Sequence, residues 1–314
     1  MKGKRMEKPK VNVVLATYNG ERFLKRQLDS IVSQTYENID IYIRDDGSKD
    51  NTVAFIEKYI KENAKGRRIV LLDNGGVNLR CPQSFYEILR RCDKADYYSF
   101  CDQDDEWYPE KIAWAVERLE QEDKNEILLY YTACDYYTDK GEFIRRSPKQ
   151  KEKLELSDVI YYTPGSGFTM VINEKARQEL LLQVKLGTEL HDRWLIRGAV
   201  CFGKVLYDER SSATHIRHEE AVTSGDAGTG NLIKYFIQQE ILGPGAKEDK
   251  KSLQYFYHTF ENNLSMEQKK ELSVFTRDRF SLLNWFRKVF YPKRLRTRTP
   301  GEIALRILFV LGRI

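Results

Sequence analysis

The sequence predicts an α/β protein in which a mainly parallel sheet, flanked by helices, occupies residues 11–225 and a helical extension follows it. Three observations predict this class. Short runs of β-forming residues alternate with longer runs of helical period, the signature of strand–helix–strand units. The short runs are apolar on both faces, as strands covered by helices on both sides require. The chain has 314 residues, 41% apolar, 12% aromatic and 32% charged, a globular composition long enough for one large domain with an appendage. No window approaches the roughly 18 apolar residues that span a bilayer, and the basic tail at residues 1–10 has no apolar stretch behind it. Neither a membrane span nor secretion is expected. Five cysteines, Cys81, Cys92, Cys101, Cys134 and Cys201, are odd in number and never fall in a CxxC pair. That argues against a disulfide framework or structural zinc, and for thiols in a reducing cytoplasm.

Taken in order, residues 11–16, 39–43, 69–72 and 97–100 read as strands. Between them, Phe23, Leu24, Leu28, Ile31 and Val32 recur at helical spacing, as do Val53, Ile56, Tyr59 and Ile60. A further helix is expected over residues 110–120, opened by Pro109 at a first-turn position. Strands then continue through 127–131 and 169–172.

Open sheets of this kind bind ligands beyond the carboxyl ends of their strands. The first strand runs into Thr17-Tyr18-Asn19-Gly20, the second into Asp45-Asp46-Gly47-Ser48-Lys49-Asp50, and the fourth into Asp102-Gln103-Asp104-Asp105. All three fall on one edge, and the last two contribute five carboxylates, Asp45, Asp46, Asp102, Asp104 and Asp105, to one cleft. Crowded carboxylates share protons or hold a cation. Asp102 and Asp104 can carry Mg²⁺ or Mn²⁺ while leaving coordination positions open for phosphates; they are equally the residue types of turns and caps. In the second cluster, Gly47 permits a tight turn and Ser48 or Asp50 can cap the helix near Thr52. An acid at the end of that strand can also accept a hydrogen bond from a base or ribose. The chain has no Gly-x-Gly-x-x-Gly loop after its first strand and no Walker lysine, which disfavours hydride transfer and P-loop chemistry.

Together these clusters resemble a family. Val13-Val14-Leu15-Ala16-Thr17-Tyr18-Asn19-Gly20, then Ser30-Ile31-Val32-Ser33-Gln34-Thr35-Tyr36, then Arg44-Asp45-Asp46-Gly47-Ser48-Lys49-Asp50-Asn51-Thr52 are similar to the N-terminal half of family 2 glycosyltransferases, which have the GT-A fold. Residues 101–112, reading DQDD-x-W-x-P-x-K-I from Asp102, look like that family's metal motif in its bacterial rhamnosyltransferase-like version. The resemblance covers about residues 10–225. It implies a donor site of Thr17, Tyr18, Asn19, Asp46, Asp102 and Gln103, with Thr17 under the base and Asp46 bonded to a uracil or thymine ring. It implies Asp104 as the main protein ligand of Mn²⁺ or Mg²⁺.

Inverting transfer also needs a base for the acceptor hydroxyl. His191-Asp192-Arg193-Trp194 resembles the family's HDWW motif, which implies Asp192 as base, His191 orienting it or lining the acceptor site, and Trp194 stacking on a sugar. Arg193 stands where relatives often have Trp, and a His-Asp pair before an apolar helix also suits a cap. Gly167, within residues 164–170, would border the acceptor and diphosphate side, or simply serve a turn. Residues 214–219 match a YR-x-H segment only in part, with His215 and Ile216 substituted. Arg217 and His218 would approach the diphosphate, or sit in a surface loop. The motif pattern tilts the expected donor toward dTDP-rhamnose, with UDP-glucose or UDP-galactose as alternatives; a non-catalytic carbohydrate or membrane adaptor of the same fold is the rival from another class.

The net charge of +5 is unevenly spread. Residues 226–314 carry 16 basic and 9 acidic residues, which leaves the body at residues 11–225 near −6. Residues 225–230 are a glycine-rich linker candidate, beyond which helical patterns with aromatics include Tyr235, Phe236 and Trp285. The basic aromatic segment and the apolar residues 303–311 suit either an anionic membrane surface, with a glycan or lipid-linked acceptor, or packing on the catalytic domain or in a homodimer. Nucleic acid is not expected, since no recognised motif accompanies the charge. The expected location is cytoplasmic, peripheral at the inner face of the cell membrane.

Overall fold

The computed structural model describes residues 8–63, 66–183, 187, 190–217, 238, 243, 245–277 and 279–314. Nine strands form one sheet: β1 (Val11–Thr17), β2 (Ile39–Asp45), β3 (Arg68–Leu72), β4 (Tyr97–Cys101), β5 (Asp105–Trp107), β6 (Ile127–Thr138), β7 (Phe143–Arg146), β8 (Val171–Asn173) and β9 (Gly203–Arg217). Their order is β3-β2-β1-β4-β8-β6-β9-β5, with β7 paired to β6. The β3-β2-β1-β4 half is parallel, as expected. The other half is mixed: β8 runs antiparallel to both β4 and β6, and β5 antiparallel to β9, while β6 and β9 are parallel. The sheet is thus less uniformly parallel than the alternation suggested.

Seven helices accompany the sheet: α1 (Glu21–Val32), α2 (Thr52–Asn63), α3 (Gln83–Arg91), α4 (Lys111–Leu119), α5 (Leu156–Val159), α6 (Glu174–Ala176, continued as a π-turn over Arg177–Leu182) and α7 (His191–Phe202). Period-two alternation in β1 explains how the sheet serves two cores. Val11, Val13 and Leu15 pack with Leu24, Leu28 and Ile56 of α1 and α2, while Val14 packs with Phe85 and Leu89 of α3. At the α7–β9 junction a side chain at Gly203 would place its Cβ 2.1 Å from the Ile127 carbonyl oxygen, so only glycine fits.

Among the described residues four further helices follow: α8 (Gly245–Phe260), α9 (Met266–Thr276), α10 (Leu282–Val289) and α11 (Thr299–Val310). Ser265 and Gln268 form a capping box at the start of α9, and Gln268 Nε2 also donates to the Cys201 carbonyl at 2.9 Å. Trp194 meets Phe256 and Phe260 at ring separations of 5.3 and 5.5 Å, and Tyr161 meets Phe275 and Phe309 at 5.7 Å each. The extension therefore packs on the catalytic domain and shares its core. The linker candidate at residues 225–230, with Tyr235 and Phe236, lies outside the described residues. Among the described residues no helix is long and apolar enough to cross a membrane.

Candidate active site

Parallel register brings the three polar turns together. Thr17 pairs with Asp45, and Leu15 with Cys101, so β1, β2 and β4 end at one edge. The turns are then tied to one another. Gln103 accepts from the Tyr18 amide at 2.9 Å and donates to the Tyr18 carbonyl at 3.1 Å. Asn19, in the left-handed region at φ 49°, donates its amide to Ser48 Oγ at 2.8 Å and accepts from the Lys49 amide at 2.9 Å. A Cβ at Gly20 would lie 2.4 Å from Gln103 Oε1, so glycine there admits the Gln103 clamp. Of the expected donor residues, Asn19 and Gln103 thus spend side-chain bonds on loop positioning. The Tyr18 side chain remains 44% exposed at the edge.

The result is a cavity of about 220 Å³ whose wall includes Thr17, Tyr18, Asp46, Cys81, Ser84, Phe85, Asp102, Gln103 and Asp104. The two acids of the second turn divide their work. Asp45 accepts from Thr17 Oγ1 at 3.0 Å and from the Gly47 and Ser48 amides, which shapes the turn. Asp46 faces the cavity, and its carboxylate takes bonds from the buried Arg44 guanidinium, the Leu79 amide at 2.8 Å and the Arg80 amide. Arg44, Cys81, Ser84 and Phe85 went unrecognised in the sequence. The amides that hold Asp46 belong to backbone, which leaves no mark on residue type.

Negative charge is concentrated here. Burial, then Asp105 and Asp104, push the Asp102 carboxyl well above the usual carboxylate range. Asp105, fully buried in β5, is raised to about 6 by burial against the opposing effect of His215, whose Nδ1 lies 2.8 Å from its Oδ1. Desolvation, then Asp102, Asp192 and Asp46, pushes the Cys81 thiol up to about 12. Among the described residues no group of three His, Cys, Asp or Glu side chains forms a ready-made metal cage. The donor set that faces the cavity, Asp102 and Asp104, still fits Mg²⁺ or Mn²⁺, which bind through one or two carboxylates and keep their other positions for phosphate oxygens and water. A cation bound there would offset the burial of Asp102 and the repulsion from Asp104 and Asp105.

α7 begins behind the Phe85 wall of the cavity. His191 is wedged between Phe85 and Phe100 at ring separations of 4.6 and 4.8 Å, and burial lowers its pKa. Both its ring nitrogens are buried without a hydrogen-bond partner. Gly167 lies directly against it: a Cβ there would sit 2.1 Å from His191 Nε2. The glycine turn and the His-Asp pair, 24 residues apart, are therefore one contact. Asp192 follows in the first turn of α7, partly buried, with its Oδ1 accepting from the Arg193 amide at 2.6 Å and its charge felt by Asp102 and Cys81.

Two expectations change. Trp194 does not reach the cleft: it is 0% exposed, donates Nε1 to the Leu180 carbonyl at 2.7 Å and packs under α8, so it offers no face to a sugar. The reason is helical period, which puts residue 194 on the inward stripe with His191, Leu195 and Ala199. The segment at 214–217 is the end of β9 rather than a loop; His215 turns inward to Asp105 and stacks on Phe168 at 5.6 Å. The Arg217 side chain and all of His218 lie outside the described residues.

The profile of "Glycosyl transferase family 2" matches residues 12–180, more than half of the chain and the whole of the carboxylate edge. The chain belongs to glycosyl transferase family 2. Within the family it is 32% identical over 176 residues to the dTDP-rhamnosyl transferase RfbG of Shigella flexneri, covering 54% of this chain and 56% of that protein. It is 30% identical over 154 residues to an uncharacterized glycosyltransferase of Rickettsia typhi, covering 48% of this chain and 45% of that one. This family 2 chain thus spans about half the length of the curated relatives it matches. Among solved structures it is similar to Staphylococcus aureus TarS 1–349 in complex with UDP-GlcNAc, with a TM-score of 0.59 at 16% identity over 96% of this chain and 81% of that one. It is also similar to the mannosyltransferase PcManGT of Pyrobaculum calidifontis in complex with GDP-Man and Mn²⁺, with a TM-score of 0.51 at 14% identity over 98% and 88% of the two chains. The fold of this family 2 member is GT-A.

Proposed function

We propose that this family 2 member transfers a sugar, with inversion, from a nucleotide diphosphate sugar to a glycan or lipid-linked glycan acceptor in cell-surface polysaccharide synthesis. Residues 11–225 do the chemistry, and residues 226–314 dock the protein at the cytoplasmic face of the membrane. Thr17 and Asp46 receive the base, and Asp102 and Asp104 would hold Mn²⁺ or Mg²⁺ at the diphosphate side. When bound, that cation neutralises the charge growing on the departing diphosphate. Asp192 removes the acceptor hydroxyl proton as the oxygen attacks the anomeric carbon, and the bond from that carbon to the diphosphate breaks on the opposite face. The observation that supports this reading is the gathering of Thr17, Asp46, Asp102 and Asp104 in the wall of one cavity, with the charge of Asp192 reaching Asp102 and Cys81. Similarity to a dTDP-rhamnosyl transferase supports dTDP-rhamnose as donor, ahead of UDP-glucose or UDP-galactose.

The test is donor hydrolysis and transfer with the three nucleotide sugars, with Mn²⁺ and after its chelation. Turnover should need the cation and fall at least a hundredfold in Asp104→Asn and Asp192→Asn. Unchanged turnover in either variant removes the mechanism. Donor binding without turnover by the native chain would favour a carbohydrate adaptor instead.

A further inference from the structure

The C-terminal helices carry a surface that the transfer reaction does not use. Nine of the fourteen exposed large hydrophobic side chains among the described residues lie between Phe280 and Leu311. On α10, Leu282, Phe286 and Phe290 repeat every four residues, so they form one row along the helix and its end, with the last two rings stacked at 6.0 Å. On α11, Ile303, Ile307 and Val310 form a second exposed row. The opposite faces are inward, through Asn284 and Lys288 on α10 and Leu305, Leu308 and Phe309 on α11. The two helices are fastened together: Trp285 Nε1 donates to the Val310 carbonyl at 3.2 Å, and Arg306 Nη1 to the Lys288 and Val289 carbonyls at 3.2 and 3.1 Å. Each helix is therefore held by one face while presenting a second apolar face to solvent, an arrangement that marks an interaction surface.

Beside these rows opens a cavity of about 120 Å³ lined by the basic residues Lys250, Arg277, Arg279, Lys288 and Arg313 and, among the described residues, by no acidic side chain. Lys288 is only 7% exposed and makes no ion pair among the described residues. Burial, then Lys250, holds its ammonium down to about 8. A buried ammonium among other cations is unfavourable until an anion arrives.

We propose that this face seats the protein on an anionic lipid bilayer, with the α10 and α11 rows entering the boundary between headgroups and acyl chains and a lipid phosphate held in the Lys288 cavity. Charge complementarity selects this occupant. A second copy of the chain would set the buried Lys288 ammonium and its basic rim against another cationic cavity, and a nucleic acid would neutralise the cavity while leaving the apolar rows in water. The proposal supplies the membrane partner that the lipid-linked reading of the acceptor calls for, and rests on that reading for its purpose only; its residues are separate from the transfer site.

Co-sedimentation of the full chain with phosphatidylcholine vesicles, with and without phosphatidylglycerol, tests it. Binding should require the anionic lipid and weaken as salt rises. Lys288→Met keeps the buried stem and removes the charge, and should weaken binding about fivefold; Arg279→Gln, on the exposed rim, should do the same should Lys288→Met fail to fold. The triple change Leu282→Ser, Phe286→Ser and Phe290→Ser should abolish sedimentation while leaving the melting temperature and donor hydrolysis as in the native chain. Equal binding to both vesicle types, or undiminished binding by the triple variant, overturns the proposal. So does a dimer in sedimentation velocity that the triple change dissolves without any vesicle binding, or Lys288-dependent stabilisation by inorganic phosphate without it. Asp104→Asn should bind vesicles like the native chain, so failure of the transfer mechanism and failure of the docking surface are read separately.

Discussion

Adding one methyl group at Gly167 should disable the proposed base without touching it. The new Cβ would lie 2.1, 2.9 and 3.1 Å from Nε2, Cε1 and Cδ2 of His191. The nearest of these is more than 1 Å short of an ordinary contact, and three ring atoms are involved, so the ring itself must move. It has nowhere to go, since Phe85 and Phe100 flank it and it is 5% exposed. Relief must come from shifting the Gly167–Thr169 turn or the start of α7, where Asp192 sits. Overpacking of this kind costs about 1–3 kcal/mol. At roughly 2–4 °C per kcal/mol, the melting temperature of Gly167→Ala should fall by roughly 2–12 °C. A displacement near 1 Å at a catalytic group costs about a hundredfold in rate. Thermal melts and steady-state transfer assays should therefore show a folded variant whose kcat falls about a hundredfold while donor affinity, set by Thr17 and Asp46, stays within a few-fold. His191→Ala in the same chain should restore part of the melting temperature, because it clears the space the methyl needs. Native turnover in a folded Gly167→Ala, or no coupling between the two changes, would refute the idea that this contact sets Asp192.

Other perturbations separate packing from chemistry. Trp194→Ala should cost roughly 3–5 kcal/mol in urea unfolding, through lost packing against α8, while Trp194→Phe should cost less and leave acceptor KM near native. Lys111 is fully buried, and burial lowers its pKa from 10.5 to about 7. Its folded pKa lies below its unfolded one, so the unfolded chain binds more protons between pH 7 and 10.5, and this group makes stability rise with pH across that window. Lys111→Met should flatten that rise, whose full size is at most on the order of 5 kcal/mol; an unchanged slope in unfolding measured at pH 7 and 10 would exclude Lys111 as its source. Gln103→Ala frees the Tyr18 backbone of two hydrogen bonds and should raise donor KM about tenfold with little change in melting temperature; a kcat defect at native KM would contradict a positioning role.

What the sequence revealed and what it hid differ for physical reasons. β1, β2 and β4 were legible because each is a short apolar run closed by a polar turn, and their shared edge follows from parallel pairing alone. β9 was not recognised because Asp208, Glu209, Arg210, Ser211 and Ser212 interrupt it; the structure absorbs that run with register shifts against β6 near Thr132 to Asp135. The misplaced Trp194 is a different kind of failure, since the sequence did carry the signal. His191, Trp194, Leu195 and Ala199 stand at i, i+3, i+4 and i+8, the spacing of an inward face, and that period outweighs likeness to a motif.

The same helix explains how the two ends of the charge distribution are joined. Asp192 and the residues after it point different ways from one turn of α7. The carboxylate lies with Asp102 and Cys81, the Arg193 guanidinium pairs with Asp249 of α8, and the Trp194 indole packs on Phe256 of the same helix. A change in the seating of α8 therefore loads Arg193 and Trp194 directly, and through them the backbone that carries Asp192. α8 is in turn continuous with the proposed docking face, since Lys250 on α8 lines the same cavity as Lys288 on α10. The basic end of the chain is thus not tethered at a distance from the acidic edge. It packs behind the helix whose first turn carries the proposed base, so the proposed docking face and Asp192 are linked through contacts between α7 and α8.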